Sequence, residues 1–202
     1  MRDLPLVVVA LVVSAYWLRV GAMAVRVRRR HGHGVGLIPE RRSERLLWLV
    51  VVPVVGAWCA LPWLAIGRAG GPLAVPSFAV SGGWVALRWA AALVAGGCLA
   101  MTLRCWSRMG SEWRMDISER SSPLITDGPF GRVRHPIYAF SMLMMAATAV
   151  VLPTPAMIAL AVVHAGWINF KARAEETQLA SMHGEAWGRY AAQTGRFLPR
   201  LR

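Results

Sequence analysis

The chain has 202 residues, of which 56% are hydrophobic, and a formal net charge of +13. With a positive mean hydropathy, it carries more apolar surface than one small soluble core can hide, so the bilayer is the expected solvent. The charge would suggest a nucleic-acid partner if it lay on one soluble face. The basic residues stand instead where the apolar runs stop, which argues against nucleic acid and for anionic lipid headgroups.

In chain order, apolar runs fall at 4–25, 46–66, 84–106, 137–152 and 155–171, against the roughly 20 residues a spanning helix needs. The first follows Arg2 and contains Ala22-Met23-Ala24, which looks like a signal-peptide cleavage site. Trp17 and Arg19 come close before that site, and cleavage would strand the next basic cluster outside, so a retained helix is expected. Arg26, Arg28, Arg29, Arg30, Arg41, Arg42 and Arg45 separate the first two runs. His31 and His33 beside Gly32 and Gly34 have no third ligand, so the expectation is a flexible cytoplasmic loop and no metal site. Trp17, Trp48, Trp63, Trp84 and Trp106 lie near run ends and read as headgroup-layer anchors. Cys59, Cys98 and Cys105 have no metal spacing and read as packing residues, as do Ala92, Gly96 and Ala100 at four-residue spacing.

Arg108, Arg114, Arg120, Arg132 and Arg134 separate runs three and four. Pro153-Thr154-Pro155 makes the next connection a tight helical hairpin. Lys171, Arg173, Arg189, Arg196, Arg200 and Arg202 follow run five, whereas the alternate connections hold only Arg68. The positive-inside rule then gives an all-α polytopic membrane protein with about five transmembrane helices, N-terminus outside and C-terminus in the cytoplasm. The expected organisation is three helices over 1–106, then a site-bearing region over 107–202 with a hairpin at 136–171 and a C-terminal cytoplasmic helix.

Chemistry concentrates in that second region. Gly128-Pro129 forces a turn, and Pro136 suits the first turn of a helix, where its missing N–H costs nothing. Arg134 and His135 therefore sit at the mouth of run four, where a helix N-terminus favours an anion. At the end of run five, Lys171 and Glu175 share a helical face, which by itself is a surface ion pair. The hairpin brings these two ends together, so cations, carboxylates, an imidazole and a phenol converge at the membrane border as a polar pocket.

Leu124-Ile125-Thr126-Asp127-Gly128-Pro129-Phe130, then Arg134-His135-Pro136-Ile137-Tyr138, then Glu175-Glu176 with Leu179, then His183 to Tyr190 and Leu198-Pro199 resemble the C-terminal pattern of the isoprenylcysteine carboxyl methyltransferases and their bacterial relatives. Upstream, Leu103 to Trp106 with Gly110 and Trp113 resembles the approach to the cofactor segment. The resemblance covers roughly residues 103–201 and implies S-adenosylmethionine as cofactor. It implies cofactor contacts at Leu124, Ile125, Phe130, Arg134, His135, Pro136, Ile137, Tyr138 and Glu175. Lys171 lies toward the acceptor, where many relatives have arginine, with Arg173 as a possible substitute and Glu176 or Tyr138 as proton acceptor for an amine. Lysine lacks the bidentate fork that matches a carboxylate. Phe140, where relatives have a small residue, is expected to pack.

The implied activity is methyl transfer from S-adenosylmethionine to a lipophilic acceptor, a carboxylate foremost, in a multi-pass protein of the bacterial inner membrane. A phospholipid amine acceptor, a nicotinamide-dependent reductase and a non-catalytic membrane partner are the alternatives. Lys171 is the single lysine among 23 basic residues, a usage compatible with a GC-rich bacterial genome. Such a cell need not contain prenylated proteins.

The arginine clusters give the first prediction. A cysteine at Gly34, in a background without Cys59, Cys98 and Cys105, is expected to resist an impermeant thiol reagent in intact cells and to react after permeabilisation. Labelling in intact cells would overturn the orientation.

Overall fold

The computed structural model describes residues 3–31, 42–110 and 124–200. Its elements are helices α1 (Leu4–His31), α2 (Arg42–Ala65), α3 (Trp84–Met109), α4 (Pro136–Val151) and α5 (Pro155–Gln193), with short 3₁₀ turns at Ser77–Val80 and Gly128–Gly131. The described residues contain no strand, only one isolated bridge between Val133 and Gly195. Trp113, Arg114, Arg120 and the His33-Gly34 loop lie outside the described residues.

α4 and α5 begin where the sequence supplies a start signal. Pro136 and Pro155 occupy first-turn positions, and the Thr154 hydroxyl accepts a hydrogen bond from the Met157 N–H at 3.3 Å, so the Pro153-Thr154-Pro155 hairpin closes as expected. Two helices, Leu4–Arg26 and Trp84–Met109, are long and apolar enough to cross a membrane, whereas Leu49–Ala65 and Pro136–Val151 are apolar but shorter. Leu11, Leu18, Leu49, Leu93 and Val162 are all more than half exposed. Large apolar side chains facing outward on several helices suit a lipid solvent.

The core runs through all five helices, from Leu6, Val9 and Val13 on α1 to Met144, Met145 and Val151 on α4 and Met157 on α5. The face of α3 that packs inward is Ala91, Ala92, Ala95, Cys98, Thr102 and Cys105. It replaces the expected stripe of Ala92, Gly96 and Ala100, because Ala100 is exposed and α3 is turned toward α4. Phe140 packs against the core.

Of the tryptophans expected as interfacial anchors, Trp106 is interior and Trp17 is half-buried against the core. Trp106 is buried, and Trp17 joins it with Tyr16 and Trp58 in one aromatic cluster, its ring 6.2 Å from Trp58. Edge and tilted contacts among these rings reward burial beyond area alone. Trp63 remains partly exposed, its Nε1–H donating to Ser14 Oγ at 3.0 Å.

Polar contacts tie down one end of the bundle. Asp3 Oδ2 accepts from the Gly67 N–H at 3.2 Å. Trp84 Nε1–H donates to Val150 O at 3.2 Å and Arg88 Nε–H to Val151 O at 2.9 Å, capping the C-terminal carbonyls of α4. A cation there is favoured by the helix dipole and supplies donors that the last turn lacks. α3 and α4 thus run antiparallel, and the start of α4 is carried to the opposite end. Arg88→Met is expected to lower the unfolding free energy by about 1–3 kcal/mol by leaving that carbonyl unpaired. Arg104→Met, on the exposed side of α3, is expected to stay within about 0.5 kcal/mol. Thermal unfolding in detergent compares them.

Candidate active site

At that opposite end, α4 starts beside the far half of α5, and the segment after α5 closes over both. Thr194 ends α5 in extended backbone, and Gly195 then pairs with Val133. The Arg134 N–H donates to Gly195 O at 2.8 Å and the His135 N–H to Arg196 O at 3.1 Å. A Cβ at Gly195 would lie 1.8 Å from the Leu198 carbonyl oxygen, so this close approach admits only glycine. α5 itself is broken at Gly184, whose φ of 49° is left-handed. The break separates the length bearing Lys171 to Glu176 from the turn bearing Trp187 and Tyr190.

Tyr190, through its hydroxyl, donates to Phe130 O at 2.7 Å and so ties the Gly128–Gly131 turn to the last turns of α5. Burial pushes its phenol up to about 12, so it remains a donor. Ion pairing between Arg108 and Asp127, with Arg108 Nε 3.0 Å from Asp127 Oδ1, joins the end of α3 to the same turn. Between them lies an open cleft of about 520 Å³ lined by Met101, Arg104, Ser107, Arg108 and Pro129, within the usual size range of small-molecule sites.

The centre of the site is a pair of carboxylates. Glu176 receives Arg134 Nε at 2.9 Å and Arg196 Nε at 3.0 Å and 3.1 Å. Arg134 also donates to Ala191 O at 3.0 Å and to Thr194 O, and Arg196 reaches Asn169 Oδ1 at 3.4 Å. Burial raises the Glu176 carboxyl, but His135 and the two guanidinium groups outweigh it and hold the acid well below the usual carboxylate range.

Glu175 is set differently. Its Oε1 accepts from the Tyr138 hydroxyl and lies 4.0 Å from Lys171 Nζ, and its Oε2 is 3.5 Å from His135 Nδ1. Burial raises this carboxyl too, but His135, Lys171 and Tyr138 bring it below the ordinary range. Lys171 Nζ stands 5.7 Å from the Tyr138 ring and 5.6 Å from the Trp167 ring, so its charge is held by aromatic faces as well.

His135 lies between the carboxylates, stacked on Tyr138 with centroids 5.5 Å apart. Nε2 is 3.4 Å from Glu176 Oε1 without a well-aligned hydrogen bond. Burial lowers the imidazolium, and Glu175 and Glu176 more than restore it, so its pKa is raised from 6.5.

Of the residues expected at the site, Arg134, His135, Tyr138, Lys171, Glu175 and Glu176 come together, with Pro136 starting the helix beneath them. Phe130 is buried beside Tyr190, and Leu124, Ile125 and Ile137 are half-buried nearby in the chain. Arg173 does not join them. It is exposed, because two residues along a helix turn a side chain away from the face of Lys171 and Glu175. Arg134 and Glu176 are engaged by internal bonds, to each other and to Ala191 O, Thr194 O and Arg196. Arg196, Thr194 and Gly195 were not foreseen. Their only sequence signal is a glycine and a basic residue directly after a long helix.

Residues 85–186 match the family model described as phospholipid methyltransferase, half of the chain. The chain belongs to this family. It is part of the superfamily of membrane methyltransferases that includes the isoprenylcysteine carboxyl methyltransferases. The match opens with α3 and ends within the turn after Gly184, so it contains α4, the hairpin and both glutamates of this phospholipid methyltransferase family member. No curated protein matches the chain significantly.

The raised His135 pKa has a direction that stability must follow. Stability contributed by the imidazolium is fully present below 6.5 and is lost as pH rises through the higher folded value. The thermal midpoint is expected to fall over that window, and His135→Ala to remove the slope, as a pH series of unfolding curves would show. The Glu176 contribution, from a depressed acid, is fully present above pH 4.5 and is lost progressively as pH falls toward the lower folded value.

Proposed function

We propose that this protein transfers a methyl group from S-adenosylmethionine to the headgroup amine of a membrane phospholipid. The observation that carries the reading is Glu175, a carboxylate held below its ordinary range beside Tyr138 and Lys171 at the end of the helical hairpin. The family match supports methyl transfer and a phospholipid acceptor. The alternation of arginine clusters supports five crossings, with this end of the bundle in the cytoplasm and the chain in a bacterial inner membrane. On that placement residues 1–106 anchor the chain and 107–202 bind the cofactor.

The donor set suits the cofactor. S-adenosylmethionine carries a carboxylate, an ammonium and a sulfonium, and when bound it supplies a methyl group on positively charged sulfur. Among the clustered groups, two carboxylates face Arg134, Arg196, Lys171 and an imidazole, a cationic surplus that draws an anion. His135, whose buried Nε2 lacks a well-aligned bond, and the part-exposed Arg196 would receive the carboxylate end. Glu175 would sit against the positive groups, and Leu124, Ile125, Phe130 and Ile137 would line the apolar part. The open cleft beside Pro129 has room for the nucleoside.

Lys171 orients the acceptor through its phosphate. The ammonium must lose one proton before its nitrogen lone pair can attack. Both Glu176 oxygens are engaged by guanidinium groups, so the proton passes through the Tyr138 hydroxyl to Glu175. Bound there, S-adenosylmethionine would supply the methyl group to that nitrogen, with the electron pair of the carbon–sulfur bond left on sulfur. Holding donor and acceptor in line supplies most of the acceleration, up to about 7–11 kcal/mol in favourable intramolecular cases.

A carboxylate acceptor is the second reading, and Lys171 favours it, since its ammonium could hold such a nucleophile directly. Radiolabelled methyl transfer into bilayer lipids separates the two. Alkali-stable label on phosphatidylethanolamine supports the amine, and label released as methanol supports the ester. Glu175→Ala and His135→Ala are each expected to weaken S-adenosylmethionine binding tenfold or more, about 1.4 kcal/mol, whereas His183→Ala should not. Lys171→Ala is expected to lower turnover with cofactor affinity nearly unchanged, and Lys171→Arg to keep activity or raise it. Calorimetry paired with turnover checks all five variants. No cofactor binding and no label in any lipid would sink the reading.

A further inference from the structure

His164 is buried on α5, 2% exposed, and the proposed chemistry does not use it. It lies seven residues before Lys171, about 10 Å along the axis and on nearly the same face. Its Nε2 is 3.1 Å from Ser141 Oγ, and its ring stands 5.2 Å from Trp58 and 6.2 Å from Trp167. An ionisable side chain in a spanning segment is expensive and usually faces a cavity or a partner. His164 lines a small cavity with Trp17, Trp167 and the valines at 50, 51, 54 and 55. The space has room for about one water-sized group. Trp17, which also lines it, carries a second polar group, an Nε1–H that is buried with no hydrogen-bond partner among the described residues.

We propose that this cavity anchors the acyl ester carbonyl of the phospholipid acceptor. The carbonyl oxygen accepts a hydrogen bond from Trp17 Nε1–H beside His164, and the acyl chain leaves past the valines of α2. The inference rests on the proposed function and assigns it a second recognition point. No lysine or arginine lines the cavity, so a phosphate would enter unpaired, whereas a neutral oxygen would satisfy the indole N–H. The outer faces beside the cavity are apolar and exposed at Leu49, Val50 and Val52 on α2 and at Val162 and Val163 on α5, which makes lipid the neighbour. The drop of about 10 Å from Lys171 is of the order that separates headgroup from ester in a glycerophospholipid. An acceptor held at both points would present its amine at the Tyr138–Glu175 pair.

The test uses the full chain in nanodiscs containing a phosphatidylethanolamine with a diazirine near the ester end of one acyl chain. After irradiation, label is expected on α2 over 50–55 and on α5 over 163–167. Trp17→Phe should reduce that label about tenfold, with S-adenosylmethionine affinity unchanged, and His164→Leu should do the same. On the wild-type chain, an ether-linked phospholipid without the carbonyl should compete about tenfold less well than the ester. Labelling spread evenly over outward positions such as Leu11 and Leu93, or equal competition by the ether lipid, would overturn the subsite. If the wild-type chain bound no S-adenosylmethionine yet labelled at these positions with ester preference, the proposed function would fail and the carbonyl site would stand.

Discussion

Glu176 is a carboxylate clamped by two guanidinium groups from opposite sides of the chain, Arg134 at the entrance of α4 and Arg196 beyond the end of α5. Everything at the site hangs on that clamp. It holds the Gly195-Arg196 segment against Val133 to His135, and that pairing places His135 over Tyr138. A buried ion pair gains little net stability, because desolvating its charges costs about as much as their attraction returns. What it provides is one geometry. Either arginine alone would leave a half-paired charge in a site that is mostly closed to water.

The clamp also divides labour between two adjacent glutamates. Glu176 has its oxygens occupied and is buried by its partners, so it acts as a joint. Glu175, one residue earlier, is turned onto the face of Lys171 and Tyr138 and keeps a quarter of its side chain accessible. Helix geometry sends neighbours about 100° apart, and here that rotation separates a structural acid from one able to meet a ligand.

Polar groups are otherwise sorted along the bundle. Arg88 and Trp84 cap α4 at one end, the charged cluster closes the other, and between them the hydroxyls and imidazole pair locally. Trp58 Nε1–H donates to Thr148 Oγ1 at 3.1 Å, and Thr148 in turn donates to Met144 O. Where lipid is the solvent, unpaired groups find no water, which favours such pairing within the protein. The exposed leucines and valines cost nothing there, which frees the α4–α5 seam to carry polar residues.

Helical character, the starts of α1, α3, α4 and α5, the proline-framed hairpin and the meeting of His135 to Tyr138 with Lys171 to Glu176 were legible in the sequence, because each follows from short-range rules, whereas α5 continues to Gln193, past the end expected at 171. Apolar run length, proline at a first turn and the antiparallel return of a tight hairpin act within a few residues. Membership in the wider superfamily of membrane methyltransferases was legible for the same reason, through motifs of ordered spacing over roughly residues 103–201. Rotation and return were not. Which α3 residues face α4, why Trp106 is interior and why Trp17 packs against the core depend on how each helix turns about its axis against its neighbours. The joining of Arg196 to Glu176 depends on the chain doubling back after Thr194, across a glycine whose close approach to Leu198 only the folded chain creates. Periodicity in one helix carries no information about such contacts, because their energy belongs to pairs of elements.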